Sequence, residues 1–77
     1  MNNQVTDILI HTRQVLSDQE FDQLSHQVYQ DRGIVSIRRN IHRPMLLMVV
    51  YDAAVTGSMH ILQQVRGQGH EATLVAM

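Results

Sequence analysis

Hydrophobic residues recur along this chain with two different periods, and the places where the period changes divide it into elements. Ile8-Leu9-Ile10 stand at the centre of a run from Val5 to Thr12, flanked by Asp7 and His11, and predict a first strand. Side chains alternate across a strand, so Ile8, Ile10 and Thr12 share one face and Asp7, Leu9 and His11 the other. After that run the period changes. Phe21, Leu24 and Val28 recur at the i, i+3, i+7 spacing of one helix face, with Asp22, Gln23, Ser25 and Gln30 around the polar side. Just ahead of them, Ser17-Asp18-Gln19-Glu20 reads as a capping box. The Ser17 hydroxyl can accept from the Glu20 N–H while the Glu20 carboxylate accepts from the Ser17 N–H. Leu16 and Phe21 occupy the positions of a hydrophobic staple. The helix is expected over 18–31, ended by Gly33 in the left-handed conformation that closes many helices.

Residues 34–40 predict a second strand, interrupted in its apolar pattern by Arg38-Arg39, and Asn40 to Pro44 predict a turn. Met45-Leu46-Leu47-Met48-Val49-Val50-Tyr51, the longest apolar run, then stands between Pro44 and Asp52 and reads as the central strand. Leu47, Val49 and Tyr51 lie on one of its faces and Leu46, Met48 and Val50 on the other, so both faces need covering. A second helix is expected over 58–68, carrying Ile61, Leu62 and Val65 inward and ending at Gly69; Thr56, Gly57 and Ser58 each qualify as its N-cap. A last strand over 71–75 points Ala72 and Leu74 one way and Thr73 and Val75 the other. The order β-α-β-β-α-β predicts an α+β chain of the ferredoxin-like type: a four-stranded antiparallel sheet with two helices on one face. Residues 1–77 are expected to form one domain, with 1–4 disordered.

Composition narrows the function classes. At 77 residues and 44% hydrophobic content the chain is near the lower size limit for folding without staples, which makes oligomerisation an expectation to test. It has no cysteine, so disulfides, thiolate metal sites and Cys nucleophiles are excluded together. A net charge of −1, with all 6 basic residues arginine, argues against a bulk electrostatic binder of nucleic acid or membrane. Only 4% of residues are aromatic, too few for the base-stacking platform that single-stranded RNA requires. The first residues lack a signal-peptide pattern and no apolar run approaches the ~20 residues of a membrane span; a soluble cytoplasmic protein is expected. Ser17, Ser25, Ser36 and Ser58 stand in no nucleophile elbow, and the 4 glycines occur outside any phosphate-binding loop. No enzymatic activity is expected.

Tyr51-Asp52, Ile61, Val65, Gly69, Glu71-Ala72 and Leu74-Val75 resemble the C-terminal half of the heavy-metal-associated domain found in copper chaperones and metal-pumping ATPases. Phe21, Leu24, Val28, Gly33-Ile34 and Ile37 resemble its first helix and second strand. The likeness covers most of residues 15–75, with an extra residue in the 40–46 turn. It implies the ferredoxin-like fold already read from the pattern. The functional motif of that family is Cys-x-x-Cys at the start of helix 1, and by position it falls on Ser17 and Glu20. Neither is a thiolate, so the soft two-coordinate site for Cu(I) is absent and the resemblance implies a degenerate metal site. His70 stands where the family usually has an aromatic residue, and Arg39 where it has an apolar one.

Three sets of residues are candidates for function. His11, near the loop that leads into helix 1, could join Ser17 and Glu20 in a weak non-thiol site for zinc or another divalent ion, since these ligand types suit zinc better than Cu(I); no other cofactor is expected. Arg38, Arg39, His42 and Arg43 flank the turn before Pro44 and could hold an anion or an acidic partner, or serve as a charged edge against aggregation. Leu9, Leu46, Met48, Val50 and Val75 fall on the sheet face away from the helices. Burying each stabilises by roughly 1.5–3 kcal/mol, so this face is expected to be an interface, covered by a second copy of the chain or by another protein. The leading expectation is a small non-catalytic interaction or regulatory module. A weak metal carrier using non-thiol ligands is the alternative, and a small-ligand sensor with its ligand at a dimer interface is a second.

Overall fold

The computed structural model describes residues 4–75. The elements are β1 (Val5–Thr12), α1 (Asp18–Val28), β2 (Ile34–Arg39), β3 (Leu46–Asp52), α2 (Ser58–Gly67) and β4 (Ala72–Leu74). The strands form one antiparallel sheet in the order β2-β3-β1-β4, the ferredoxin-like βαββαβ arrangement that the sequence pattern predicts. Of the segment expected to be disordered, residues 1–3 lie outside the described residues. The Gln4 carbonyl accepts from the Ala53 N–H at 2.9 Å.

Period two decides the core. Ile10, Leu47 and Val49 are fully buried on the helix-facing side of the two central strands, with Tyr51 nearly so, and they meet Leu24 and Val28 of α1 and Ile61, Leu62 and Val65 of α2. Thr12 is the one buried polar residue of the described chain; its hydroxyl donates to the Gln14 carbonyl at 2.8 Å, so no polar group is left unpaired there. β2 carries an irregularity that the sequence pattern did not predict. Ile34 pairs with Tyr51 and Ser36 with Val50, so Val35 is an extra residue, 55% exposed. Ile34 and Ile37 are three apart and would face opposite ways in a regular strand. The bulge turns both onto the core.

α1 starts as predicted, at the Ser17 cap, but ends at Val28 with Tyr29 as C-cap, three residues short of the expected 31. Residues 29–33 are committed elsewhere. The Tyr29 hydroxyl accepts from the Ile37 N–H of the edge strand at 3.1 Å, and Asp31 accepts from the Gly33 N–H at 2.9 Å and from the Thr56 hydroxyl at 2.6 Å. Gly33 does not take the left-handed conformation expected of it; among the described glycines only Gly69, just past α2, has positive φ, at 92°. What excludes a side chain at Gly33 is space, because a Cβ there would lie 2.6 Å from Thr56 Cγ2 and 3.2 Å from its backbone nitrogen. At α2 the open choice of N-cap falls on Gly57, which makes no side-chain cap bond. The Thr56 hydroxyl is already held by Asp31.

This geometry predicts that Gly33→Ala lowers stability by about 1–3 kcal/mol through overpacking, and that adding Thr56→Ser recovers part of the loss. Serine deletes Cγ2 yet keeps the hydroxyl that Asp31 holds. Urea midpoints of the two single variants and the double variant check this, and strict additivity would show that the Thr56 methyl is not the obstacle.

Candidate functional site at the start of helix 1

The loop from Arg13 to Ser17 runs over one end of the sheet and delivers the chain to α1. Ser17 sits in extended conformation (φ −65°, ψ 164°), its Oγ accepts from the Glu20 N–H at 3.1 Å, and its own N–H donates to Glu20 Oε1 at 2.8 Å. The capping box is reciprocal and complete. Hydrogen bonding from the Ser17 N–H first, and from the Ser17 side chain second, holds the Glu20 carboxyl below its ordinary value against the opposing effect of desolvation, and His70 adds a weaker pull in the same direction. Asp18, also in the first turn, is gripped by Arg39 Nη2 at 2.6 Å, while Arg39 Nη1 donates to the Leu16 carbonyl at 2.7 Å. The Arg39 guanidinium lies 4.7 Å from the centroid of the Phe21 ring, within cation–π range. Arg39, which broke the apolar pattern of β2, therefore faces the core side of the sheet and fastens β2 to the start of α1.

The expected metal trio is only partly brought together. Ser17 and Glu20 are adjacent, but His11 lies on the opposite side of β1, in register with Leu46 and Thr73, and lines a separate apolar groove with Val15, Pro44 and Val75. The histidine that does share a cleft with Glu20 is His70, placed there by the turn after Gly69 and by the pairing of β4 with β1. Across the same cleft, Arg13 Nη1 bridges to Glu71 Oε2 at 2.8 Å, an exposed pair that contributes ~0–1 kcal/mol. Among the described residues there is no group of three His, Asp or Glu side chains able to hold a metal ion. Sequence reasoning marked His70 only as a departure from the heavy-metal-associated pattern. The available signal was that an antiparallel β4 must carry position 70 to the strand end where α1 begins.

The basic cluster is likewise divided. Asn40 Oδ1 accepts from the N–H groups of His42 and Arg43 at 2.8 and 2.9 Å and so shapes the turn, which exposes His42 and Arg43 along with Ile41. Arg38 instead stands beside Met48 on the open sheet face, and Arg39 points the other way. On that open face the expected apolar set is assembled. Leu9 pairs with Met48, Leu46 and Val50 lie on either side of Met48 along β3, and the Val75 N–H donates to the Leu9 carbonyl at 2.9 Å. Met48 is 40% exposed, and Leu9, Leu46, Val50 and Val75 are half-buried. No helix of the described residues is long and apolar enough to cross a membrane.

Solved structures similar to this one include a copper binding domain and a metallochaperone. A copper binding domain from HMA7, a P-type ATPase, superposes with a TM-score of 0.78 at 14% identity, covering 91% of this chain and 93% of that one. The CsoZ metallochaperone gives 0.73 at 17% identity, covering 94% and 99%. Oxidized MerP from Ralstonia metallidurans CH34 gives 0.78 at 8% identity, also covering 94% and 99%. At such identities the likeness establishes the fold, which is that of the heavy-metal-associated domains, and this chain carries that fold without a single cysteine. No protein-family model matches the sequence, and no curated protein matches it in sequence.

Glu20 and Asp31 each add to the acid dependence of stability. Burial pushes the Asp31 carboxyl up, but hydrogen bonds from Thr56 and Gly33, with His60 and Gln64 nearby, outweigh it and leave it below its ordinary value. Both carboxyls thus ionise more readily in the folded chain, so below their ordinary values of 4.5 and 3.8 the unfolded chain binds more protons. Their contribution is present in full above that range and is lost as the pH falls through the lower folded-state values. Urea midpoints between pH 6 and pH 2.5 should therefore fall less steeply for Glu20→Gln and Asp31→Asn than for the parent, starting from lower values at pH 6. Parallel curves would show that neither carboxylate is linked to folding.

Proposed function

We propose that the protein is a small non-catalytic interaction module that uses the heavy-metal-associated fold for its sheet surface and has no thiolate metal site. The observation that carries this reading is the apolar strip Leu46-Met48-Val50 with Leu9 beside it, lying on the sheet face that no element of the described chain covers. Side chains of this size left in water weigh heavily on a chain of 77 residues. An uncovered patch of this kind is characteristic of a docking surface. At the start of α1, the positions that correspond to the thiolates of the family carry Ser17 and Glu20, whose polar groups are engaged with each other.

One observation favours a second reading. Glu20 and His70 share a cleft, and a carboxylate with an imidazole is a donor pair that zinc accepts. Two donors are half of the usual four, and one of them is engaged in the capping box, so a site here would hold zinc weakly and would have to break a helix cap. Titration of metal-free protein with Zn(II) and with Cu(I), followed by backbone amide shifts, separates the two readings. The interaction module predicts no localised shifts at residues 17–20 and 69–71 for either ion. Saturable shifts confined to those residues would replace it with the metal-carrier reading.

A further inference from the structure

The open sheet face carries charge as well as apolar area, and the placement of that charge identifies what covers it. Cross-strand neighbours share a face, so Asp7, opposite Val50, and Arg38, opposite Met48, both stand on the open side. They lie on opposite flanks of the strip, Asp7 on β1 and Arg38 on β2, and both are exposed. Neither is in an ion pair among the described residues. A patch with an acid on one flank, a base on the other and an apolar ridge between them is complementary to itself when rotated by a half-turn.

We infer that the partner of this face is a second copy of the same chain, packed sheet against sheet about a two-fold axis lying along β3; the inference rests on the interaction-module reading and names its partner. That axis stacks Leu46, Met48 and Val50 on their counterparts and lays β2 of each protomer over β1 of the other. Arg38 then sits above the partner's Leu9, and Asp7 of the partner subunit is two residues further along that strand, about 7 Å away and within reach of an arginine side chain. Two Asp7–Arg38 pairs close the two flanks of the ridge. The area is sufficient. The molecule measures 38 × 25 × 19 Å, and four paired strands of up to eight residues form one of its faces. Such a face is comparable to the ~800 Å² that each partner contributes to a stable interface. Two further polar residues share this face: His11 lies beside Leu46 and Thr73 at the end of the sheet away from Asp7, and Asp52, at the far end of β3, has its carboxylate engaged by the Ala54 N–H at 2.9 Å.

Sedimentation of the full chain and of two charge-reversed variants, Asp7→Arg and Arg38→Asp, tests the inference, with far-UV circular dichroism confirming that each variant is folded. The parent is expected to be a dimer. Each variant alone opposes like charges across the interface and should raise the dimer dissociation constant by about tenfold or more. An equimolar mixture should recover the parental dimer, because the base introduced at position 7 of one variant then meets the acid introduced at position 38 of the other. A monomeric parent, or a mixture no more associated than its components, overturns the inference. A photo-crosslinking residue placed at Met48 and activated in cells keeps the two levels of the proposal apart. Adducts of twice the chain mass support self-association; adducts with other proteins alone overturn it and leave the docking surface standing; no adduct of either kind overturns both.

Discussion

The constraint from which the rest of the structure follows is that β3 is apolar on both faces while only one layer of helices exists to cover it. Strand alternation gives Leu47, Val49 and Tyr51 to the helices and Leu46, Met48 and Val50 to the other side. β1 is built the opposite way, with Ile10 and Thr12 inward and Asp7 and His11 outward around a single Leu9. The central pair of strands therefore defines a complete core on one side and a narrow apolar ridge on the other. The α1 and α2 stripes are matched to the first, and nothing in the described chain is matched to the second.

Most of the fold was legible because period and capping are local. The Ser17–Glu20 box marks the start of α1 without any knowledge of tertiary contacts, and the interior faces of β1 and β3 follow from alternation alone. What was not legible depended on partners distant in sequence. The early end of α1 reflects Tyr29 reaching Ile37 and Asp31 reaching Thr56, 25 residues away. Gly33 was recognised as necessary but for the wrong reason, since its requirement is set by the approach of Thr56 and not by its own backbone angles. The bulge in β2 could have been inferred from the three-residue spacing of Ile34 and Ile37, because two core residues at odd separation cannot share a face of a regular strand.

The candidate sites divided along the same line. His11 is near Ser17 in sequence yet on the other side of the sheet, and His70, fifty residues from Glu20, is the imidazole that shares its cleft. Sequence proximity pointed to His11, whereas the antiparallel pairing of β4 with β1 brings His70 to the Glu20 cleft. Arg39 shows the complementary error of reading a charge as a break in the pattern. Its stem continues the inward face of β2, and its guanidinium finds the Phe21 ring, the Leu16 carbonyl and Asp18 at the rim of the core.

That arginine also bears on where function is to be sought. At the start of α1 the Ser17 and Glu20 N–H groups are capped, the Leu16 carbonyl and the Asp18 carboxylate are held by Arg39, and Arg13 is paired with Glu71. Acidic residues in a first helical turn are also favoured by the helix dipole, so Asp18 and Glu20 are stable there without any ligand. A ligand arriving at that end would have to displace existing hydrogen bonds before gaining new ones. On the open sheet face the balance is reversed. Met48 and its apolar neighbours are exposed or half-buried, and the Asp7 and Arg38 charges on their flanks are in no ion pair among the described residues. Covering that face removes apolar surface from water while breaking no hydrogen bond shown for its central side chains, and for this reason the sheet, more than the start of α1, is where binding free energy is available to this fold.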